Sequence, residues 1–278
     1  MICYPSVKIN LGLHVLRRRP DGFHDLETLF VPYPGISDCL EVITGDDYSR
    51  TLASLKERYG SLTQAVSPDG KLMITLARKE GIDWDPLKDL TARAYMLLAE
   101  DYKLPPMKVF LEKRSPVGAG LGGGSSDAAW ALRCMASLAD LDLTDAQLAS
   151  YAARLGSDCA FFVYSTPMFG SGRGEILEPF PLELSPYRLE VVVPEGIAVS
   201  TADAYRGITP SIPEKPLKDI LRQPVSTWKE ELKNDFEQTV FAKYPALQAV
   251  KEELYGRGAL YAAMSGSGSA CFGIFRKD

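Results

Sequence analysis

Apolar and polar residues alternate most clearly near the start of the chain. In residues 6–15, S-V-K-I-N-L-G-L-H-V, the side chains of Val7, Ile9, Leu11, Leu13 and Val15 share one face and those of Lys8, Asn10 and His14 the other, which predicts a half-buried strand. Three arginines, Arg17, Arg18 and Arg19, then lead to Pro20-Asp21-Gly22, where proline presets φ and glycine supplies a positive φ for a turn. A strand pattern resumes over 23–32, so the segment reads as a hairpin whose connection presents residues 17–24 at one end. Residues 38–44, 72–76 and 107–113 are further strand candidates. Residues 90–101 read as a helix opened by Asp89 or Thr91 and followed by a break at Pro105-Pro106. The stretch 45–70 is polar, with a short helix predicted at 54–58 and a turn at 67–70.

Further along, residues 128–139, A-A-W-A-L-R-C-M-A-S-L-A, hold neither Gly nor Pro and predict a helix, with Ser125, Ser126 and Asp127 suited to its start. Thr144 and Gln147 form a capping-box pattern for a helix that stops at Gly156. Residues 170–174, G-S-G-R-G, lie between apolar segments and read as a hairpin turn in preference to another ligand loop. A strand is predicted at 189–194 and continues extended through 201, and 207–227, punctuated by Pro210, Pro213, Pro216 and Pro224, reads as a long surface connection. Residues 228–244 are helical in pattern, and Pro245 restarts a helix that ends before Gly256. The span 261–275 predicts a strand, a small-residue turn at 265–269 and a returning strand.

With 278 residues, of which 46% are hydrophobic and 24% charged, the chain can build one large or two modest domains around a substantial core. No apolar run approaches the roughly 20 residues that span a bilayer, and the first ten residues lack signal-peptide anatomy, so a cytoplasmic protein is expected. A formal charge of −5 counts against nucleic acid as the main partner, and the triple arginine reads as a solvated turn flank. The five cysteines, Cys3, Cys39, Cys134, Cys159 and Cys271, are scattered without metal spacing and read as reduced and mostly buried. Two histidines, His14 and His24, leave little material for a histidine-based metal site or a Ser-His-Asp triad.

Candidate chemistry concentrates at 116–127, P-V-G-A-G-L-G-G-G-S-S-D. Five glycines at 118–124 let the backbone take positive φ and approach a ligand without intervening side chains. A glycine loop entering a helix N-terminus is an anion site, with phosphate its usual guest. A flexible linker would have polar, aperiodic flanks, whereas V-F-L and A-A-W-A-L flank this loop. Gly118, Gly120 and Gly123 fit G-x-G-x-x-G, but K-R-S-P separates strand from loop, and Asp140 and Asp142 follow a helix rather than end a strand, so the dinucleotide fingerprint is incomplete. A Walker A loop is excluded because no lysine follows the glycines. Phosphoryl transfer needs N–H donors for the phosphates, a positioned hydroxyl, a base and positive charge, and the loop, Asp158 and Lys8 could supply these. Asp158, in L-G-S-D-C-A-F-F-V, reads either as a helix cap or as a base, because an ionised carboxylate in apolar surroundings costs free energy unless it is paired.

Three motifs spread over nearly the whole chain, K-I-N-L-G-L at 8–13, P-V-G-A-G-L-G-G-G-S-S-D-A-A at 116–129 and M-S-G-S-G-S-A-C-F at 264–272, resemble the GHMP kinase superfamily in content and order. K-I-N-L-G-L-H-V followed by R-R-P-D-G-F-H-D-L-E-T-L-F, with L-G-S-D-C-A-F-F and N-D-F-E, is similar to the branch whose acceptor is a cytidine-diphosphate methylerythritol. The resemblance implies a two-domain α+β fold: a ribosomal-protein-like, ATP-binding N-terminal domain over 1–155 and a ferredoxin-like, substrate-binding C-terminal domain over 156–278. It further implies ATP- and Mg²⁺-dependent, in-line phosphorylation of the acceptor's 2-hydroxyl in non-mevalonate isoprenoid synthesis, with no nucleic-acid or membrane partner. On the superfamily's pattern Asp158 is the general base and Lys8 holds it ionised. Pro116, Gly118, Ala119, Gly120, Leu121, Gly122, Gly123, Gly124, Ser125 and Ser126 would wrap the ATP phosphates, and Ser126 would contact Mg²⁺. Asn10, Phe23 and His24 would belong to the acceptor pocket, and Tyr205 matches the aromatic that stacks on cytosine. Phe23 stands where a tyrosine is common and Ser157 where an alanine is frequent; neither departure removes a catalytic part.

Overall fold

The computed structural model describes residues 1–45 and 47–277. From the N-terminus the elements run β1 (Ile2–Cys3), β2 (Ser6–Arg18), β3 (His24–Ser37), β4 (Cys39–Thr44), α1 (Leu52–Tyr59), β5 (Thr63–Val66), β6 (Leu72–Arg78), α2 (Leu90–Asp101) and β7 (Met107–Lys113). Then follow α3 (Gly123–Leu138), α4 (Asp145–Leu155), α5 (Cys159–Tyr164), β8 (Met168–Ser171), β9 (Ile176–Pro179), β10 (Tyr187–Val192) and α6 (Thr201–Arg206). The chain closes with α7 (Leu217–Leu221), α8 (Trp228–Glu231), α9 (Phe236–Lys243), α10 (Pro245–Gly256), β11 (Tyr261–Met264) and β12 (Cys271–Arg276).

These elements sort into two compact units that do not follow sequence order. The first holds Met1–Val7, Tyr33–Val117 and Gly122–Ser165; the second holds Lys8–Pro32, Gly118–Leu121 and everything described from Thr166 onward. A single cut between residues 155 and 156 differs from this division. The physical reason lies in hairpin β2–β3, whose open edge pairs with β8 through Thr28↔Gly170, Leu29↔Phe169 and Phe30↔Met168, so backbone from the start of the chain is satisfied by backbone from its second half.

The first unit is built on a five-stranded sheet in the order β1-β4-β7-β6-β5. Strands β6 and β7 run parallel, from Leu72↔Met107 to Arg78↔Lys113, and α2 makes the crossover that a parallel pair requires. Helix α2 starts where expected, with the Asp89 side chain accepting from Thr91 N–H, and α4 carries the full capping box of Thr144 and Gln147. Helix α1 is longer than the polar sequence suggests because Leu55 joins Ile43, Ala77 and Phe110 in a small apolar cluster. Strand β5, T-Q-A-V, was not anticipated: four half-polar residues at a sheet edge carry too little periodicity.

The second unit has a four-stranded sheet, β2-β3-β8-β9, and a three-stranded sheet, β10-β12-β11. Strand β2 is buried on both faces rather than half-buried. Its polar face finds partners instead of solvent: the Asn10 amide donates to the Thr28 hydroxyl at 3.0 Å, and His14 Nδ1 lies 3.4 Å from the Asp235 carboxylate. The proline-rich connection is not a bare surface loop, because α7 buries Leu217, Ile220 and Leu221. The continuous helix expected over 228–244 breaks at Asn234, whose Nδ2 donates to the carbonyls of Met264 and Gly266 at 2.8 Å and whose backbone bridges to Leu13. The extended run after β10 ends at Ser200, which caps α6. A core of Leu13, Val15, Phe236, Val240, Leu247, Leu254, Met264 and Phe275 holds the unit together. The hairpins at P-D-G, at G-S-G-R-G and at the C-terminal serine-glycine turn form as the sequence pattern predicts.

Replacing Thr144 by Ala removes the hydroxyl half of the capping box and should lower unfolding free energy by about 1 kcal/mol in denaturant titration, a loss typical of one N-cap. An unchanged midpoint would show that the hydroxyl contributes nothing.

Candidate active site

The glycine loop takes the shape its composition allows. Gly118, Gly120 and Gly122 have φ of 72°, 76° and 71°, the left-handed region that a side chain disfavours. Helix α3 begins at Gly123, earlier than the apolar run suggests, with Gly122 as its N-cap and the first intrahelical bond running from Ser126 N–H to the Gly122 carbonyl at 2.9 Å. The N–H groups of Gly123, Gly124 and Ser125 precede that bond and have no partner within the helix. With the positive end of the helix dipole, they form an anion-binding start to a 16-residue helix.

In the second unit the first part of the loop is stitched to β2 and to the C-terminal turn. Lys8 N–H donates to the Leu121 carbonyl at 2.9 Å, and Ala270 N–H donates to the Ala119 carbonyl at 3.0 Å. The Lys8 ammonium donates to Asn10 Oδ1 at 2.6 Å and to the Gly120 carbonyl at 2.8 Å, and lies 5.5 Å from the centre of the Phe30 ring. Ser265 Oγ donates to the same Gly120 carbonyl at 3.1 Å and accepts from Asn10 N–H at 3.3 Å. Gly120 approaches the turn so closely that a Cβ would collide with the Ser265 carbonyl oxygen. Thus Lys8, Asn10 and the loop, foreseen separately, form one buried network, and Ser265 and Thr28 complete it.

In the first unit a charge cluster underlies the start of α3. The Lys113 ammonium donates to Asp38 Oδ2 at 2.5 Å, Asp127 Oδ2 at 2.6 Å and Ser115 Oγ at 3.2 Å. Asp38 Oδ1 accepts the N–H groups of Arg114 and Ser115, each at 2.6 Å. Burial alone would lower the Lys113 pKa, yet the two carboxylates outweigh it and raise it. Burial likewise opposes ionisation of Asp38, but Lys113 and the Ser115 donors hold its pKa below the usual range. Asp127 is fully buried, and burial pushes it well above that range despite Lys113; its Oδ1 has no hydrogen-bond partner among the described residues. The cluster is therefore an Asp38–Lys113 ion pair with Asp127 as its readily protonated third member. Sequence reasoning placed only Asp127 near the helix start and missed Asp38 and Lys113, at the ends of strand-like runs, and Ser115, in the short link to the loop, where nothing local marks a buried charge.

Asp158 is half-buried at the N-cap position of α5 but makes no capping hydrogen bond. The capping role open at the sequence level is therefore not the one its side chain performs. Burial pushes the adjacent Cys159 thiol up to about 12, so that cysteine is not a nucleophile at neutral pH. Ser126 is buried and donates its hydroxyl to the Ser6 carbonyl at 2.6 Å, Ser125 is half-buried, and Pro116 is half-buried at the loop entry. Among the described residues no three His, Cys, Asp or Glu side chains converge as a metal site.

In the second unit two of the expected acceptor residues meet. The rings of His24 and Tyr205 stack at 4.9 Å and 20°, and Phe236 meets Tyr205 edge-on at 4.7 Å. Burial, then the charge of Arg18, lowers the His24 pKa, so the imidazole is neutral at neutral pH and offers one donor and one acceptor. Phe23, next to His24, is 52% exposed, which suits a ligand contact better than a core role.

Residues 89–166 match the GHMP kinases N terminal domain and residues 217–278 the GHMP kinases C terminal domain. Loop, helix start and domain matches together define a small-molecule kinase of the GHMP class. The 4-diphosphocytidyl-2-C-methyl-D-erythritol kinase of Bacteroides fragilis is 44% identical over 278 residues, covering 100% of this chain and 93% of that protein. The kinase of the same name from Parabacteroides distasonis is 44% identical over 277 residues, covering 100% and 92%. A crystal structure of 4-(cytidine 5'-diphospho)-2C-methyl-D-erythritol kinase matches with a TM-score of 0.75 at 32% identity, over 99% of this chain and 90% of that one. The chain belongs to the 4-diphosphocytidyl-2-C-methyl-D-erythritol kinase family of the GHMP kinases.

Lys113→Met leaves two buried carboxyls without their cation and should cost about 3–5 kcal/mol in denaturant titration. Asp127→Asn keeps the shape while removing the member that already resists ionisation, and should cost clearly less. Equal losses in the two variants would contradict this division of the charge.

Proposed function

We propose that the protein transfers the γ-phosphoryl group of ATP to the 2-hydroxyl of 4-diphosphocytidyl-2-C-methyl-D-erythritol, a step of non-mevalonate isoprenoid synthesis, with release of ADP. The observation that carries this reading is the loop of alternating positive-φ glycines running straight into the first turn of α3, whose leading N–H groups have no partner within the helix. In phosphoryl transfer the protein's work is positioning and charge stabilisation rather than covalent chemistry, and a rigid cradle of N–H donors suits that work.

In this reading residues 116–126 hold the ATP phosphates through backbone N–H groups. Asp158 accepts the proton of the attacking hydroxyl. Lys8, fixed by Asn10 and the Gly120 carbonyl, supplies positive charge to the reacting groups. Mg²⁺ bound with ATP would neutralise the charge that develops on the phosphates. It needs few protein ligands when phosphate oxygens and water complete its shell, and Ser126 would offer an oxygen lone pair. The base of the acceptor stacks on the His24–Tyr205 pair, with the neutral His24 edge and Asn10 adding polar discrimination. No helix of the described residues is long and apolar enough to cross a membrane, which fits work on water-soluble substrates in the cytoplasm.

Asp158→Asn should fold and bind an ATP analogue normally while kcat falls about 100- to 10,000-fold, the usual worth of a general base; near wild-type turnover would remove Asp158 from the mechanism. Tyr205→Ala should raise KM for the acceptor by about tenfold or more and leave KM for ATP nearly unchanged, since base stacking is worth roughly 1–3 kcal/mol. Equal changes in both constants would remove the stacking role.

A further inference from the structure

An acceptor that carries a cytidine diphosphate presents two anionic phosphates beside its base, and Asn10, His24 and Tyr205 offer no cation to meet them. The turn between β8 and β9, in the same unit, does. Arg173 stands between Gly172 and Gly174, whose φ values of 68° and 103° fold the backbone tightly around it. Gly172 accepts from Leu26 N–H at 2.7 Å, so the turn is hydrogen-bonded to the early part of β3. Gly174 lies under Phe30 and Leu26, with a Cβ position 3.4 Å and 4.0 Å from their side chains. These contacts hold the Arg173 guanidinium 4.4 Å from the centre of the ring of Phe23, the residue that precedes His24 in the chain.

The guanidinium is also available. Its recorded ion pair is with Glu175 Oε1, 3.9 Å from Nε and beyond hydrogen-bond reach, while Glu175 Oε2 accepts from the Arg173 backbone N–H at 2.5 Å. The neighbouring arginines are committed differently: Arg17 pairs with Asp25, and Arg19 with Asp21 at 3.0 Å and Asp25 at 3.4 Å. Arg18 is exposed at the end of β2, and its charge is felt at His24. A guanidinium lying on an aromatic face keeps its N–H donors in the ring-free plane, where two of them match a pair of phosphate oxygens.

We propose that Arg173, assisted by Arg18, is the specificity-determining contact for the diphosphate of the acceptor's nucleotide moiety. The aromatic stack holds the base, and the hairpin arginine, set beside it by Phe23 and the Gly172 tie, holds the two phosphates. This subsite rests on the acceptor reading given above.

Binding of cytidine and of cytidine diphosphate to the wild type and to Arg173→Gln, followed by titration calorimetry without ATP, separates the two ideas. The wild type should bind the diphosphate more tightly than the nucleoside, and Arg173→Gln should reduce that preference about 10- to 100-fold, the loss expected for charge-assisted bonds to phosphate. Cytidine affinity should stay the same, Arg173→Lys should restore part of the preference, and Arg18→Gln should reduce it more mildly. In turnover, Arg173→Gln should raise KM for the acceptor by a similar factor and leave KM for ATP in place. A full diphosphate preference in well-folded Arg173→Gln and Arg173→Lys overturns the subsite while leaving the acceptor reading intact. A wild type that binds neither compound overturns the acceptor reading and the subsite with it.

Discussion

Lys113 sits between two buried carboxylates, and the geometry of the first unit's glycine segment depends on that arrangement. Asp38 stands just before β4, Lys113 ends β7 and Asp127 lies in the first turns of α3, so one ammonium ties two neighbouring strands to the helix that opens at the loop. A buried ion needs every partner it can get, and the bonds it demands leave little freedom in where α3 begins. Ser115, part of the same cluster, occupies the space where a Cβ on Gly123 would go. The glycines of this loop therefore answer to different constraints. Gly118 and Gly122 are needed for positive φ, Gly120 for positive φ and for its approach to the Ser265 carbonyl, and Gly123 because the charge cluster fills its side-chain space.

Much of the fold was legible in the sequence. The hairpin around P-D-G, the helix capped by Asp89, the capping box of α4, the strand delivering the loop and the closing strand-turn-strand all rest on local rules, and local rules act wherever the chain goes. The misreadings have tertiary causes. Lys8, Asn10 and His14 looked like a solvent face, but Gly120, Thr28 and Asp235 turn it into a second buried one. The helical pattern through Asn234 yields to the hydrogen bonds its side chain makes to the Met264 and Gly266 carbonyls. In the proline-rich connection Leu217, Ile220 and Leu221 were too few to show a period, yet enough to bury a short helix.

The site shows the same pattern. Glycines, serines, a lysine and an aspartate could be singled out because their types are chemically suggestive, and family likeness supplied the roles. What pairwise spacing cannot carry is convergence. Nothing in the sequence says that Ser265 and Lys8 bind one carbonyl, or that the arginine of a second glycine turn rests on Phe23. These contacts join segments separated by more than a hundred residues, and they decide which of several plausible residues act together.

The second unit's discontinuity has a consequence for how the protein is made. Asn10 and Ser265, hydrogen-bonded in the finished molecule, are 255 residues apart in the chain. A nascent polypeptide emerging from the ribosome displays the apolar hairpin β2–β3 long before β8 arrives to cover its edge, and much longer before β11 and β12 exist. Such non-local pairings are slow, and an uncovered apolar edge is open to the wrong partners in the meantime. The Lys8 network can thus be assembled only after translation is nearly complete, which makes the surroundings of Lys8 among the last parts of the protein to become native.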